Sequence, residues 1–373
     1  MPSTPTIFFA GGGTGGHLYP GISVAQAITA LRPEVRCVFL CTKRPIDDTI
    51  LKPTGFEYIA QPIVPPHRSI SGLLKFYSAW RETTDQVSRL LKDRSPIAVL
   101  GLGGYAAGVA VKLAGKRGIP AAIINPDVIP GKANQFLLRY VRGIFCQFEQ
   151  TRTHLPTAHQ KKMAVTGCPI RTSFAALPDK AAARTALGLD PSLHTLVITG
   201  ASQGSQTVNE GSIAALSRLK LQGWQVLHLT GKDHAQAVRD AYRTAGMDKL
   251  VSVVDFTPDM PLVWAAADLA ISRAGASSCA ELTACGVPSL LMPYPFHKDM
   301  HQRENAKVLA AAGAAIVVDD AMQAATNADR LTPLLEKLIY NADQRTQMSN
   351  AAKALGRVNS ADEVARALLA IAG

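Results

Sequence analysis

The stretch that decides the fold runs from a buried strand through a small-residue turn into a helix, and it reads Leu269-Ala270-Ile271-Ser272-Arg273-Ala274-Gly275-Ala276-Ser277-Ser278-Cys279-Ala280-Glu281. The apolar run at its start is typical of a parallel strand that is buried on both faces. A helix is predicted to begin near Ser277, and Gly275 lets the backbone approach a ligand because it has no Cβ. The N–H groups of the first helical turn and the serine hydroxyls predict a phosphate or pyrophosphate site.

Glu281 adds a second element to this predicted site. It lies about one turn further along the helix, where a carboxylate can accept hydrogen bonds from ribose hydroxyls. Its position therefore favours a nucleotide over a bare phosphate. An ordinary strand-to-helix connection with Glu281 on a solvated face explains the pattern equally well, so both interpretations stay open for this stretch taken alone.

Length and composition indicate a large folded protein. The sequence has 373 residues, of which 47% are hydrophobic and 18% charged, so it suits two domains with sizeable cores. No apolar run approaches the roughly 20 residues that span a bilayer. Residues 1–6 lack the basic and apolar regions of a signal peptide, and we therefore expect a cytosolic location.

The net charge of +11 predicts an anionic partner, which could be nucleic acid, acidic lipid headgroups or a polyphosphate ligand. Only 6% of the residues are aromatic and they do not interleave with basic ones, so nucleic acid is the least favoured of the three. The six cysteines include no C-x-x-C pair and have no histidine at zinc spacing. Buried reduced thiols, and no metal site, are the expectation.

Buried strands followed by loops and helices recur in both halves of the sequence. They are residues 7–9, 35–40, 98–100, 121–124 and 144–146 (expected to be the last strand of the first half), then 196–198, 225–229, 251–254, 269–271, 289–292 and 315–318. The repetition predicts an α/β fold of two doubly wound parallel-sheet (Rossmann-like) domains that face each other across a cleft. The expected domains are residues 1–165 and 166–355, with a final helix in 356–373 that packs back on the first domain.

The first glycine-rich loop follows strand 7–9 and reads Ala10-Gly11-Gly12-Gly13-Thr14-Gly15-Gly16-His17. It is not a P-loop because no lysine follows, and no acidic residue ends the second strand to bind an NAD ribose. A loop that admits a bulky ligand fits better. A lone histidine is usually structural, but open α/β sheets place their chemistry at the carboxyl ends of strands, so His17 is a candidate general base.

Residues 67–81 mix apolar side chains at helical spacing with arginine and lysine. The spacing of Ile70, Leu73, Leu74, Tyr77 and Trp80 is typical of an amphipathic helix that faces the core, and this is the favoured interpretation. The alternative is an apolar patch with a basic rim that lies on a membrane surface. The high net charge keeps that alternative open.

Two later loops carry polar side chains after predicted strands. Asp127 and Asn134 belong to a rigid loop with two prolines and a glycine. Further on, His301, Gln302 and Asn305 are expected to share a helical face, where their donors and acceptors suit sugar hydroxyls. A solvated helix start capped by Asp299 explains this second cluster equally well.

Five motifs, taken together, resemble the MurG family of bacterial N-acetylglucosaminyltransferases. They span nearly the whole chain in the family's order, which makes the combination specific. The motifs are Gly12-Gly13-Thr14-Gly15-Gly16-His17, Gly103-Gly104-Tyr105, Gly167-Cys168-Pro169-Ile170-Arg171, Gly200-Ala201-Ser202-Gln203-Gly204, and residues 272–281 together with His301-Gln302 and Asn305.

The resemblance implies a GT-B fold and an inverting, metal-independent transfer of N-acetylglucosamine from UDP-N-acetylglucosamine. The acceptor would be the muramoyl 4-hydroxyl of undecaprenyl-pyrophosphoryl muramoyl-pentapeptide (lipid I), and the product would be lipid II for peptidoglycan. The sequence contains no D-x-D pair of the kind that metal-dependent transferases use. No cofactor is implied, and the enzyme would be a peripheral protein on the anionic cytoplasmic face of the cell membrane.

The resemblance also implies roles for individual residues. His17 matches a candidate base, with Asp127 the next candidate, and Thr14, Gly15 and Gly16 match the loop that faces the transferred sugar and the acceptor. The remaining positions match donor or substrate contacts, and they are Asp127, Asn134, Arg171, Ser202, Gln203, Thr257, Ala276, Ser277, Ser278, Cys279, Ala280, Glu281, His301, Gln302 and Asn305. Among these, Glu281 matches the ribose ligand and Thr257 a backbone contact to uracil.

One stretch departs from the family. Where members usually show His-Glu-Gln-Asn, this chain has Ile124-Asn125-Pro126-Asp127. The departure leaves two alternatives open, a UDP-sugar transferase with another lipid acceptor and a UDP-sugar-binding homologue that has lost catalysis. A dinucleotide dehydrogenase is less favoured, because the first half has no acidic residue placed for the ribose.

Overall fold

A computed structural model of the protein describes residues 4–67, 69–201, 203–296 and 300–373. The chain divides into two compact units. The N-terminal unit comprises Met1–Thr172 together with Val358–Gly373, and the C-terminal unit comprises Ser173–Arg357. Each unit contains a sheet of parallel strands with helices on its faces, so the predicted α/β class with two Rossmann-like domains is confirmed.

The sheet of the N-terminal unit has the strand order β3-β2-β1-β4-β5-β6-β7. Its strands are β1 (Thr6–Ala10), β2 (Arg36–Cys41), β3 (Glu57–Ala60), β4 (Ala98–Gly101), β5 (Ala121–Asn125), β6 (Gly143–Cys146) and β7 (Met163–Val165). The prediction that residues 144–146 form the last strand of this half is wrong, because β7 pairs in parallel with β6 beyond it. Strand β7 has only three residues, two of them half-buried, so its sequence carries little strand signal.

The helices of the N-terminal unit cover both faces of its sheet. They are α1 (Gly15–Leu31), α2 (Pro45–Leu51), α3 (Ile70–Arg94), α4 (Gly108–Lys116), α5 (Lys132–Leu137), α6 (Thr157–Gln160) and the last helix of the chain, α15 (Ser360–Ala372). Successive residues of β1 alternate between two cores: Ile7 packs with residues of α1 and α15, and Phe8 packs with residues of α3 and α4. Because β1 is buried on both faces, its sequence is continuously apolar rather than alternating.

Helix α3 does not face the core at its amino end. Ile70, Leu73, Leu74 and Tyr77 are 81%, 52%, 67% and 72% exposed, so the core-facing interpretation is wrong for these residues. Burial begins further along, where the buried residues are Ala79, Thr83, Val87 and Leu91. The helical spacing of apolar residues therefore runs along the whole of α3, although only its later turns pack on the sheet.

The sheet of the C-terminal unit has the order β10-β9-β8-β11-β12-β13, and all of its pairings are parallel. Its strands are β8 (His194–Thr199), β9 (Trp224–Leu229), β10 (Val251–Val254), β11 (Leu269–Ser272), β12 (Ser289–Leu291) and β13 (Ala315–Val317). Its helices are α7 (Lys180–Ala186), α8 (Gln206–Leu216), α9 (Ala235–Thr244), α10 (Met260–Ala266), α11 (Ala276–Cys285), α12 (His301–Ala311), α13 (Ala324–Tyr340) and α14 (Ala342–Leu355).

The six cysteines are all free thiols, and five of them are buried as expected. Burial raises the pKa of the Cys37, Cys41, Cys146 and Cys285 thiols to about 12, which keeps them protonated and unreactive. Within the described ranges, no helix combines the length and the apolar character required to cross a bilayer.

Candidate active site

A pocket of about 510 Å³ opens at the carboxyl ends of the strands in the C-terminal unit. It lies between the loops that follow β8 and β11, which are the neighbouring strands where the strand order reverses. Such switch points are where open α/β sheets bind ligands. The residues that line it are Gly200, Ala201, Gly204, Ser205, Gln206, Thr207, Glu210, Arg273, Gly275, Tyr294, Phe296, Gln302 and Met322.

The loop after β8 is fixed by two glycines. A Cβ on Gly200 would lie 2.3 Å from the backbone nitrogen of Ser205, and one on Gly204 (φ +74°) would lie 2.1 Å from the carbonyl oxygen of Thr230. The Ser205 hydroxyl then caps α8 by accepting a hydrogen bond from Val208. Gln203 is exposed on this loop, whereas the predicted contact Ser202 lies outside the described residues.

The turn before α11 has the predicted features of an anion site. Gly275 is the N-cap in extended conformation and has no side chain of its own to cap the helix, and a Cβ on Gly275 would meet only the Ser278 hydroxyl at 4.0 Å. Ser277 and Ser278 are half-buried at the start of the helix, where the backbone N–H groups have no acceptor within the helix itself. The predicted contact Cys279 is different, because its side chain is fully buried and its N–H donates to Gly275 within the helix.

Glu281 is held by a buried tryptophan. The Trp264 indole Nε1 donates to Glu281 Oε2 over 2.9 Å, and Trp264 on α10 is 1% exposed. Glu281 itself is half-buried. One carboxylate oxygen is therefore oriented by the protein, and a carboxylate held in this way can accept hydrogen bonds from hydroxyl groups.

Arg273 organises the pocket, and sequence reasoning missed it as a functional residue. Its guanidinium is 5% exposed and donates to the Ser205 hydroxyl over 2.6 Å, to the Thr207 hydroxyl over 2.9 Å and to the carbonyl of Met292 over 2.9 Å. It also pairs with the buried Asp320 at 2.9 Å. One side chain thus ties together the segments that follow β8, β11, β12 and β13.

Burial has the largest single effect on the pKa values of both Arg273 and Asp320. Burial lowers the pKa of Arg273, although the Asp320 carboxylate opposes the shift. Burial raises the pKa of Asp320, but hydrogen bonds from Thr207 and Asn327 outweigh it and leave that pKa below its usual range. Both groups are therefore charged at neutral pH. The signal that could have found Arg273 is an arginine at the carboxyl end of a buried strand, where a charge needs a partner.

The three polar residues of α12 do not act as one face. Gln302 lines the pocket and its Oε1 accepts a hydrogen bond from the backbone N–H of Tyr294 at 3.0 Å. Asn305 is fully buried and donates to the carbonyl of Ala274 over 3.2 Å, so it supports the α11 turn from behind. His301 is half-buried as the first residue of the helix, and the Asp299 cap considered from sequence lies outside the described residues.

Thr257 follows β10 at the same end of the sheet. Its hydroxyl accepts a hydrogen bond from the backbone N–H of Asp259 at 3.0 Å. The neighbouring Phe256 ring is 43% exposed and lies 5.7 Å below the Lys232 ammonium. An exposed aromatic ring at the end of a strand is suited to stacking on a planar base.

In the N-terminal unit, His17 lies in the first turn of α1 against two glycines. Its Nδ1 is 3.2 Å from the carbonyl oxygen of Gly12 and 3.2 Å from the hydroxyl of Thr14. A Cβ on Gly103 or Gly104 would lie 3.2 Å or 2.9 Å from the imidazole ring. Burial lowers the pKa of His17, opposed by the Gly12 carbonyl and by the charges of Asp127 and Asp47, so the ring is neutral at pH 7.

The other predicted residues of the glycine loop frame this histidine. Thr14 and Gly16 are exposed and Gly15 is half-buried, so the loop presents its surface to solvent. Asp47 anchors the loop from below and was also missed by sequence reasoning. This carboxylate is 1% exposed and accepts hydrogen bonds from the Gly13 N–H at 2.6 Å and from the N–H and hydroxyl of Thr42 at 2.8 and 2.7 Å.

The loop after β5 is braced internally. The Asn134 amide nitrogen donates to the carbonyl of Ile124 and to Asn125 Oδ1, both over 3.0 Å, and Asn125 donates to the carbonyl of Asp127 over 2.8 Å. Asn134 is 5% exposed, so its nitrogen shapes the loop and is not presented to a substrate. The half-buried Asp127 lies close enough to raise the pKa of His17.

Arg171 lies at the end of the N-terminal unit. Its guanidinium carbon is 5.4 Å from the centre of the Tyr19 ring, in a cation–π arrangement. This contact places the Arg171 side chain against α1, the helix that follows the glycine loop. Among the described residues, no group of three or more histidine, cysteine, aspartate or glutamate side chains comes together as a metal-ligand set.

Comparison with known proteins identifies the family. The model of the glycosyltransferase family 28 N-terminal domain matches residues 7–146, and that of the family 28 C-terminal domain matches residues 195–364. A UDP-N-acetylglucosamine–N-acetylmuramyl-(pentapeptide) pyrophosphoryl-undecaprenol N-acetylglucosamine transferase from Bacillus cytotoxicus is 32% identical over 96% of this chain and 97% of its own. The chain belongs to the MurG family. The resemblance drawn from the five motifs is thereby confirmed.

Other MurG family members agree over the same length. The transferase of the same description from Lactiplantibacillus plantarum is 31% identical over 97% of this chain and 98% of its own. The crystal structure of Acinetobacter baumannii MurG superimposes with a TM-score of 0.78 at 25% identity, covering 98% of this chain and 99% of that one. A UDP-GlcNAc 2-epimerase from Neisseria meningitidis bound to UDP-GlcNAc (TM-score 0.68, 15% identity, 98% and 100% covered) shares the fold alone.

Proposed function

We propose that this chain transfers N-acetylglucosamine from UDP-N-acetylglucosamine to lipid I, the reaction named for its MurG relatives. The observation that carries the proposal is likeness to those transferases over nearly the full length of both chains. The carboxyl end of the C-terminal sheet supports it, because a helix start with two serines, an oriented carboxylate and the exposed Phe256 ring follow its strands and suit a nucleoside diphosphate.

The donor is proposed to lie along this end of the sheet. The uracil would contact Thr257 and Phe256, the ribose hydroxyls Glu281, and the diphosphate the turn at Gly275–Ser278. Gln302 in the pocket wall and His301 beside it would contact the sugar hydroxyls. As the bond between C1 of the sugar and the phosphate oxygen breaks, helix-start N–H groups and serine hydroxyls would stabilise the negative charge that develops on UDP.

His17 is the proposed general base. Its Nε2 would take the proton of the muramoyl 4-hydroxyl while that oxygen forms the new bond to C1 with inversion, and UDP leaves with the electrons of the broken bond. The His17→Ala variant is expected to lose roughly 10²–10⁴ in kcat. If the loss is below about tenfold, the role moves to Asp127, whose carboxylate lies nearby.

The proposed activity is tested by incubating purified protein with UDP-N-acetylglucosamine and a lipid I analogue and measuring release of UDP. Turnover that persists in EDTA is expected, since the serines, helix dipole and Arg171 are proposed to replace a metal ion. A panel of lipid acceptors addresses the altered loop at residues 124–127. UDP binding without turnover of any acceptor would overturn the proposal.

An anionic membrane surface is the proposed partner of the N-terminal unit. That unit contains 22 lysines and arginines against 11 aspartates and glutamates, whereas the C-terminal unit contains 17 of each, so the entire net charge resides in the first. The exposed apolar residues of α3 lie on the same unit. Basic charge around an apolar patch is how peripheral proteins bind anionic lipid, and in a cell the cytoplasmic leaflet is the expected location.

Cosedimentation with vesicles tests this partner. Binding to vesicles that contain phosphatidylglycerol, and little binding to pure phosphatidylcholine, is expected. The double variant Leu74→Ser/Tyr77→Ser should lower binding by about tenfold or more, because each buried apolar side chain contributes about 1.5–3 kcal/mol. Tyr340→Ser removes an equally prominent side chain (61% exposed) from the C-terminal unit and should leave binding unchanged.

A further inference from the structure

The peptide group that joins Gly12 to Gly13 is hydrogen-bonded at both of its polar atoms. Its N–H, on Gly13, donates to Asp47 Oδ1 over 2.6 Å. Its carbonyl oxygen, on Gly12, lies 3.2 Å from Nδ1 of His17. A carboxylate, a peptide and an imidazole therefore form one continuous chain of hydrogen bonds.

The Gly12 contact favours one tautomer of His17. A carbonyl oxygen can only accept, so the hydrogen bond to Gly12 forms only when Nδ1 carries the hydrogen. The Thr14 hydroxyl, also 3.2 Å from Nδ1, can share that hydrogen as a second acceptor. In the neutral ring the lone pair is then on Nε2, which is the atom that a general base needs.

The carboxylate affects the basicity of the ring as well as its orientation. A short hydrogen bond from the peptide N–H to an anion polarises the peptide and makes its carbonyl a stronger acceptor. That carbonyl in turn stabilises the positive charge that appears on the imidazole when Nε2 takes a proton. The arrangement performs the task of the aspartate in a serine-protease triad, with a peptide group between the carboxylate and the ring.

Several contacts hold the Asp47 carboxylate in place. A Cβ on Gly12 would lie 2.2 Å from Asp47 Oδ2, so only glycine allows the carboxylate to come this close. The second oxygen is fixed by both donors of Thr42, and Arg44 donates to the carbonyl of Gly13 over 3.1 Å. The first oxygen is therefore aimed at the Gly13 N–H.

We propose that Asp47 is a positioning residue for catalysis, which holds His17 in the Nδ1–H tautomer and strengthens its Nε2 as a base through the Gly12–Gly13 peptide. The inference rests on the proposed role of His17 as the general base. It adds to that role a second, buried residue on a different element, α2.

The tautomer is measured without any assay of activity. In protein labelled with ¹⁵N-histidine, the two ring nitrogens of His17 are assigned by comparison with His17→Gln, and their shifts are followed against pH. Wild-type protein should show the Nδ1–H form at neutral pH. In Asp47→Asn, the Nε2–H form should increase and the ring should titrate at lower pH, because a negative charge near it has been removed.

Kinetics with UDP-N-acetylglucosamine and a lipid I analogue give the second readout. Asp47→Asn should lower kcat by about tenfold or more and leave the donor KM within about twofold, because the donor pocket is built from other elements. The acid limb of the kcat profile should move to lower pH. The charged and titratable groups around the ring and its loop are Asp47, Asp127, Arg44 and Tyr105, and the last three are unchanged in this variant.

Thr42→Val is the matched control. It removes the hydroxyl that donates to Oδ2 of Asp47 and keeps both the carboxylate and its bond to Gly13. A loss of thermal stability similar to that of Asp47→Asn, with the wild-type tautomer and acid limb, is expected. If Asp47→Asn does not fold, the ¹⁵N-histidine spectra of Asp47→Glu and of the wild-type protein are compared to test the role of Asp47.

The outcomes separate this inference from the proposed function. A wild-type Nε2–H tautomer, or the same His17 titration in Asp47→Asn and wild type, overturns the role of Asp47 even in an active transferase. An Nδ1–H tautomer that depends on Asp47, in a protein whose His17→Ala variant keeps full turnover, would show that the chain of bonds exists and that His17 is not the base.

Discussion

The indole of Trp264 donates a hydrogen bond to the carboxylate of Glu281 over 2.9 Å, from a side chain that is 1% exposed. The two residues are on consecutive helices, α10 and α11, on either side of the strand that leads to the pocket. The buried indole N–H holds one carboxylate oxygen of the half-buried Glu281. This proposed ribose ligand is therefore oriented before UDP-N-acetylglucosamine binds, which lowers the entropic cost of binding.

Trp264→Phe tests this orientation. An aromatic ring stays in the core, but the indole N–H that donates to Glu281 is lost. A hydrogen bond to a charged group contributes about 1.5–3 kcal/mol. We expect the dissociation constant for UDP, measured by calorimetry, to rise by roughly tenfold or more. An unchanged affinity, together with unchanged thermal stability, would show that Glu281 needs no support from the indole.

Glu281→Ala removes the ligand itself. The donor KM should rise by the equivalent of about 1.5–3 kcal/mol, because the charged hydrogen bonds to the ribose are lost. Measurement of KM for UDP-N-acetylglucosamine and of Kd for UDP gives the answer. Equal UDP affinity in the variant and wild type would place the ribose elsewhere.

Gly104→Ala should impair turnover without affecting the donor site. The added Cβ would lie 2.9 Å from the His17 ring, at a backbone φ of +70°. The ring must shift, so kcat should fall by about tenfold or more while UDP affinity stays constant. Gly118→Ala is the control, because Gly118 has a similar φ of +75° and open space around it. If both variants lose the same activity, backbone strain explains the effect and contact with His17 does not.

Arg273→Ala should destabilise the protein more than a typical surface change. It leaves the carboxylate of Asp320, which has no exposed side-chain surface, without its ion pair, and breaking a buried pair costs about 3–5 kcal/mol. Urea unfolding measures the change in free energy. Arg218→Ala breaks the exposed pair with Asp329 and should cost at most about 1 kcal/mol. In a double-mutant cycle, Asp320→Ala should recover part of the loss.

Stability of the protein should fall in mild acid because of His228. This residue is fully buried between Tyr242 and Asn209, and burial lowers its pKa to about 3. In the unfolded chain it titrates near 6.5, so between these values the unfolded state binds one more proton and each pH unit costs about 1.4 kcal/mol. Unfolding free energy measured from pH 7 to 4 should therefore depend less steeply on pH in His228→Gln. The exposed His154→Gln should keep the wild-type slope.

The sequence determined the elements that repeat a strong pattern. Runs such as residues 269–271 are apolar because both faces of a parallel sheet are covered, and glycine turns such as residues 200–204 mark the ends of strands. Two such arrays predicted two Rossmann-like domains, and the ordered motifs predicted the family. The short strand β7 was not predicted because three residues, two of them half-buried, carry almost no periodic signal.

The tertiary structure alone decided which polar side chains reach a pocket and which support one. Asn134, Asn305 and Gln302 look alike in sequence, yet the first two are buried and donate hydrogen bonds to other residues of the protein, whereas Gln302 lines the pocket. The apolar period of α3 likewise could not reveal that its first turns face solvent. The local sequence indicates whether a side chain can be buried or can form a hydrogen bond. The partner of that side chain comes from a distant segment of the chain, as Gly13 does for Asp47 and Arg273 for Asp320.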